Sequence, residues 1–69
     1  MNQYKKALNL KKARTAAGLS QSQLAKKAGL NVRTLQDYEQ GRKDINGAAI
    51  RTMVRLADVL GVTERDLME

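Results

Sequence analysis

Val32, Arg33, Gln36 and Asp37 are the residues of this sequence whose side chains have the most specific chemistry. The guanidinium of Arg33 presents parallel donors that match the O6 and N7 acceptors of guanine. The Gln36 carboxamide both donates and accepts, as the edge of adenine requires. The Asp37 carboxylate can accept from the amine of cytosine, and Val32 is an apolar side chain able to lie on a thymine methyl. Arg33 and Asp37 also stand four residues apart, so they are equally readable as a surface pair worth about 0.2–0.5 kcal/mol on a helix.

The sequence offers little other chemistry. It has no Cys and no His, hence no thiolate and no imidazole to act as nucleophile, base or metal ligand. Carboxylates alone would have to hold a metal, and none cluster at ligand spacing. There is no Gly-rich phosphate loop and no carboxylate pair beside a nucleophile. The expectation is a protein that is not an enzyme and has no cofactor, metal or small-molecule ligand. Charge suggests a different kind of partner. The net charge is +6 over 69 residues, distributed unevenly. Residues 1–57 hold 12 of the 13 Lys and Arg, whereas residues 58–69 hold four of the seven carboxylates. A basic body suggests a polyanion, with the acidic tail facing away from it, although Lys and Arg also serve simply to solvate helices. No apolar run reaches the roughly 18 residues of a membrane span, and no signal-peptide pattern opens the chain. With Cys absent as well, the expected setting is cytoplasmic, without a membrane partner.

The elements that position Val32–Asp37 read as helices. No Pro and no alternating strand pattern interrupts the chain. A first helix is expected from about Asn2 to Ala17, with Tyr4, Ala7, Leu8, Leu10, Ala13 and Ala17 as its apolar stripe and Gly18 as its stop. Ser20-Gln21-Ser22-Gln23 is a capping box that starts the second helix, which buries Leu24, Ala25 and Ala28 and stops at Gly29. Asn31 caps the third, Val32 to about Gln40, which buries Leu35 and part of Tyr38 and ends at Gly41. A polar connection from Arg42 to Gly47, anchored by Ile45, leads to a fourth helix from about Gly47 to Leu60. Its buried stripe reads Ala49, Ile50, Met53, Val54, Ala57 and Leu60. Thr63 caps a last short helix, Glu64 to Met68, with Leu67 turned inward. The fold class is all-α, with five helices in a single domain, 1–69.

Residues 21–40 make the strongest signal. Two short helices joined by Ala28-Gly29-Leu30 must cross steeply. Ala25 has to be small beneath the following helix, Gly29 has to allow positive φ, and Leu24, Ala28, Leu30, Leu35 and Tyr38 have to seal the corner. All these positions are filled as required. With Leu35 and Tyr38 inward, Val32, Arg33, Gln36 and Asp37 face outward. Phosphate contacts would frame them from Gln21 and Ser22 at the start of the second helix and from Arg42 and Lys43 after the third, with Thr34 and Gln40 as secondary candidates. Gln21 could instead be solvated beside its Ser20 cap.

Leu10-Lys11-Lys12-Ala13-Arg14, Gly18-Leu19-Ser20-Gln21, Leu24-Ala25, Ala28-Gly29-Leu30 and Tyr38-Glu39-Gln40-Gly41 resemble the phage-repressor (XRE-type) helix-turn-helix family. Leu56 to Thr63 resembles its closing segment, so the likeness covers roughly residues 8–68. The resemblance implies a compact five-helix bundle of the lambda-repressor-like type, with its helix-turn-helix at about 21–40. It implies a transcriptional regulator, commonly a repressor, that binds double-stranded DNA as a homodimer on a palindromic operator, with helix 32–40 in the major groove. It points to Val32, Arg33 and Asp37 as base readers and places Arg14 and Glu39 together as a structural ion pair. The family's Pro after Gly41 is missing, Asp44-Ile45-Asn46-Gly47 lengthens that connection, and Ala13 replaces a larger apolar residue. Val59, Val62, Leu67 and Met68 are the expected dimer interface, unless they close the monomer core instead. Two other uses of such a domain stay open on sequence alone: an antitoxin that also binds a toxin, and a protein-interaction adaptor.

Overall fold

The computed structural model describes residues 4–69. Five helices follow one another: α1 (Leu8–Ala16), α2 (Gln21–Ala28), α3 (Val32–Gln40), α4 (Ile50–Leu60) and α5 (Glu64–Leu67), with a 3₁₀ turn at Ile45–Gly47 between α3 and α4. Each element contributes one fully buried aliphatic side chain to a common core: Leu10, Leu24, Leu35, Ile45, Leu56 and Leu67. Full burial of such a side chain stabilises the fold by about 1.5–3 kcal/mol, so these six define the arrangement. α2 packs on both α3 and α4, while α5 bridges α4 and α1.

The helix ends follow local rules. Ser20 and Gln23 form the reciprocal capping box, with the Gln23 amide donating to Ser20 Oγ at 3.1 Å and the Ser20 amide to Gln23 Oε1 at 2.8 Å. Asn31 caps α3 by accepting from the Arg33 amide at 2.8 Å. Thr63 and Asp66 repeat the capping box at α5. Gly29 ends α2 with φ +70°, which lets the Leu30 amide fold back onto the Ala25 carbonyl at 2.8 Å and turns the chain sharply into α3. A residue with a Cβ would pay about 1–2 kcal/mol for that conformation.

Three expectations need correction. α1 begins at Leu8, not near Asn2; Asn2 and Gln3 lie outside the described residues, and residues 4–7 are not helical. The Ala7 amide donates to the Tyr38 carbonyl at 3.0 Å, drawing this segment across the end of α3, so Tyr4 and Leu8 are half exposed while Ala7 is sealed. α4 begins at Ile50 rather than Gly47, because Asp44 accepts from the Asn46 amide and winds Ile45–Gly47 into the separate 3₁₀ turn. The inward face of α4 is Met53, Leu56 and Ala57, and Ile50 is 82% exposed. Finally, α5 stops at Leu67, with Met68 already extended.

Ala7 gives α1 no side-chain cap. The other end of the chain supplies one: Glu69 Oε2 accepts from the Asn9 amide at 2.6 Å, and the Asn9 side chain donates to the Met68 carbonyl. Asn46 holds the Glu69 backbone through paired bonds of 2.9 Å. The acidic residue thus sits at the positive end of α1, where a carboxylate is favoured.

Candidate nucleic-acid interface

The outward face of α3 is supported by a polar chain that starts in the core. Arg14 of α1 grips Glu39 of α3 through two bonds, Nε to Oε2 at 2.7 Å and Nη2 to Oε1 at 3.0 Å. A third Arg14 donor, Nη1, satisfies the Leu19 carbonyl at 2.9 Å. The bond to Glu39 holds the Arg14 guanidinium above its ordinary pKa against the opposing effect of burial. Gln21 Nε2 donates to the same Glu39 carboxylate at 3.0 Å, and Gln36 Nε2 reaches Gln21 Oε1 at 3.4 Å. Arg14, Glu39, Gln21 and Gln36 therefore link α1, α2 and α3. Among the described residues no buried side-chain nitrogen or oxygen lacks a partner. Tyr38, sealed beside Glu39, has its phenol pushed up by burial.

At the surface, the Arg33 side chain is 73% exposed at the first turn of α3. Val32 packs partly on the core, and Thr34 and Gln36 are half buried. Asp37 is partly buried at this face. Its side chain is 15% exposed, with Oδ1 2.8 Å from Arg42 Nε and 3.5 Å from Arg33 Nε. The hydrogen bond from Arg42 holds the Asp37 carboxyl below its ordinary pKa, and the charges of Arg33 and Lys43 add to that. Arg42 Nη1 donates to Gln40 Oε1 at 2.5 Å. Ser22, Gln40, Arg42 and Lys43 are exposed around this face.

Sequence reasoning missed several neighbours of this face. Lys6 and Lys11 line a hollow of about 320 Å³ together with Gln21 and Gln40. Arg55 of α4 approaches the α2–α3 turn, its Nη1 3.6 Å from where a Gly29 Cβ would stand, beside Lys26 and Lys27. No local spacing signals either placement, since both depend on how distant helices pack. The residues expected at a dimer interface are divided. Leu67 is fully buried and belongs to the core, Val59 and Val62 pack partly against it, and Met68 is 45% exposed. Met68 shares an apolar hollow of about 350 Å³ with Met53 and the protruding Ile50. No helix among the described residues is long and apolar enough to cross a membrane, and no carboxylate group there is arranged to hold a metal ion.

Two short helices turned about a left-handed glycine, the second presenting an arginine at its exposed first turn, define a helix-turn-helix domain. The helix-turn-helix family matches residues 10–67, and the chain belongs to the XRE-type branch of these DNA-binding transcriptional regulators. A solved structure similar to it is the restriction-modification controller protein C.AhdI from Aeromonas hydrophila. That protein is 31% identical, with a TM-score of 0.79 over 90% of this chain and 89% of its own. No curated protein matches the chain.

Proposed function

We propose that this regulator is a homodimeric repressor that sets α3 into the major groove of a palindromic operator. One observation carries the reading. Arg33 stands exposed at the first turn of α3, on a helix that is tied through Glu39, Gln21 and Gln36 to α1 and α2. A side chain so placed can present its fork to guanine without reorganising its support. Val32 and Gln36 flank it. Gln21, Ser22, Thr34, Gln40, Arg42 and Lys43 frame the helix and suit phosphates, which fix register without carrying sequence. The match in fold and size to a restriction-modification controller protein supports a regulatory role for a domain this small. Repression is the outcome where the operator overlaps a promoter, because a protein seated there excludes others from it.

Selection from a random duplex pool at two salt concentrations tests the proposal. The enriched sequence is expected to be a palindrome with half-site centres about 34 Å apart. Arg33→Ala is expected to cost about 1–3 kcal/mol and to relax the preference at one position in each half-site. Enrichment of no sequence by the wild-type chain would end the reading.

The symmetric operator requires a two-fold dimer, whose interface uses the same patch on both chains. Ile50 and Met68 are exposed on one apolar hollow and offer that patch. Sedimentation is expected to show the wild-type chain as a dimer at concentrations where Ile50→Asp is monomeric. A variant that remains dimeric would move the interface elsewhere.

A further inference from the structure

Asp37 occupies a position that simple base reading does not explain. Its Oδ1 stands between the two arginines proposed above to contact DNA, 2.8 Å from Arg42 Nε and 3.5 Å from Arg33 Nε. Its backbone carbonyl accepts from the amides of Arg42 at 2.8 Å and Lys43 at 3.2 Å. One residue thus fastens the basic turn after α3 through its main chain, and through its side chain steadies both the first cation of that turn and the arginine one helical turn earlier. The Asp37 side chain is 15% exposed, beside Arg33 and Arg42 side chains that are 73% and 41% exposed. A side chain this covered offers little of itself to a cytosine amine while its Oδ1 stays bonded to Arg42.

We infer that Asp37 is a positioning residue that sets specificity: its carboxylate restrains Arg33 and Arg42 and keeps both from collapsing onto arbitrary phosphates. The inference rests on the DNA-reading role of α3 proposed above. Arginines attract any DNA backbone, because neutralising phosphates releases counterions whatever the sequence. A carboxylate between them opposes this in two ways. It offsets positive charge where the backbone approaches, and it keeps each guanidinium in one direction rather than free to sweep. At the operator, Arg33 finds base acceptors and Arg42 a phosphate without leaving Asp37. On other DNA, releasing the arginines to follow the backbone means breaking the pairs. The closest approach to Arg33 is at Nε, the nitrogen nearest the chain, so the pair restrains the stem while the outer end of the fork extends. The charged groups facing Asp37 are Arg33, Arg42 and Lys43.

The test compares Asp37→Asn with wild type on two duplexes of equal length, the selected operator and a scrambled sequence, across a salt series. Asn keeps the size of the side chain and removes its charge. The expected result is tighter binding to the scrambled duplex, with a salt dependence steeper by up to about one unit for each cation released to a phosphate. Operator binding should stay level or weaken, so the ratio of the two affinities falls about tenfold, a difference of about 1.4 kcal/mol. In an Arg42→Ala background most of that fall should vanish, because residues that act through one another are not additive. Thermal melting checks that the variant is folded, and a merely structural role would weaken both duplexes in parallel. Parallel weakening, or an equal effect of Asp37→Asn with and without Arg42, would overturn the inference while leaving the base-reading role of Arg33 standing. So would loss of preference at a single C·G pair independent of Arg42, which would make Asp37 a direct reader. Failure of the wild-type chain to select any operator is a separate result and would remove the DNA-reading premise itself.

Discussion

Glu39→Ala is expected to destabilise the protein by about 3–5 kcal/mol. Folded domains are stable by roughly 0.05–0.15 kcal/mol per residue, so the loss is comparable to the whole stability of a 69-residue chain. The reason is what the substitution leaves behind. Arg14 is 9% exposed and keeps only the Leu19 carbonyl as a partner, while Gln21 Nε2 loses its acceptor. A buried guanidinium without its carboxylate carries its desolvation cost uncompensated. Replacing both members, as in Arg14→Met with Glu39→Leu, should recover most of the loss, because apolar side chains of similar volume have no charge to satisfy. Urea denaturation followed through the helical signal measures both. If Glu39→Ala costs less than about 1 kcal/mol, the pair behaves as an exposed one, and the rigid support assigned to α3 is lost with it.

That contrast also shows which kinds of information the sequence carries openly. Ser20 with Gln23, Asn31 before Val32, and Gly29 after Ala28 act within four residues of themselves, so their effect is readable from spacing alone. The turn, the register of α3 and the outward position of Arg33 follow from those signals. Leu24, Leu35 and Leu67 enter the core where helical periodicity puts them. The Arg14–Glu39 pair was legible only through family resemblance, since 25 residues separate its members. Contacts that close long loops leave no local trace. The Asn9 amide finds Glu69 across 60 residues, and Asn9 by itself looks like a poor helix residue. Ile50 reads as apolar and therefore as core, yet it stands at the first position of α4, where the helix has not reached the packed layer; Leu56 takes the inward place. Asp37 is the functional counterpart of the same problem. Its type and spacing are compatible with a base contact and with an ion pair to Arg33, and they give no sign of Arg42, which approaches it from beyond the helix end.

The segment before α1 gives the other large effect. Gly41→Ala is expected to be more destabilising than Gly61→Ala by about 1–3 kcal/mol, the usual cost of forcing an extra group into a packed place. Both glycines have left-handed backbones, with φ +81° and +69°, so both substitutions meet the same conformational penalty. Only at Gly41 is the space filled. A Cβ there would lie 2.6 Å from the Tyr4 carbonyl oxygen and 3.4 Å from the Lys6 amide nitrogen, whereas a Cβ at Gly61 meets nothing within 4 Å. The obstruction is backbone and cannot rotate away, so residues 4–7 would have to lift from the end of α3. Lifting them breaks the Ala7–Tyr38 bond and exposes Ala7, which is otherwise fully buried. Gly41→Asn separates the two causes: Asn tolerates left-handed backbone better than Ala but carries the same Cβ. Melting curves for the three variants should therefore group Gly41→Asn with Gly41→Ala, both below Gly61→Ala. Rescue by Asn would mean that backbone strain alone had been at work and that the N-terminal segment does not press on the end of α3.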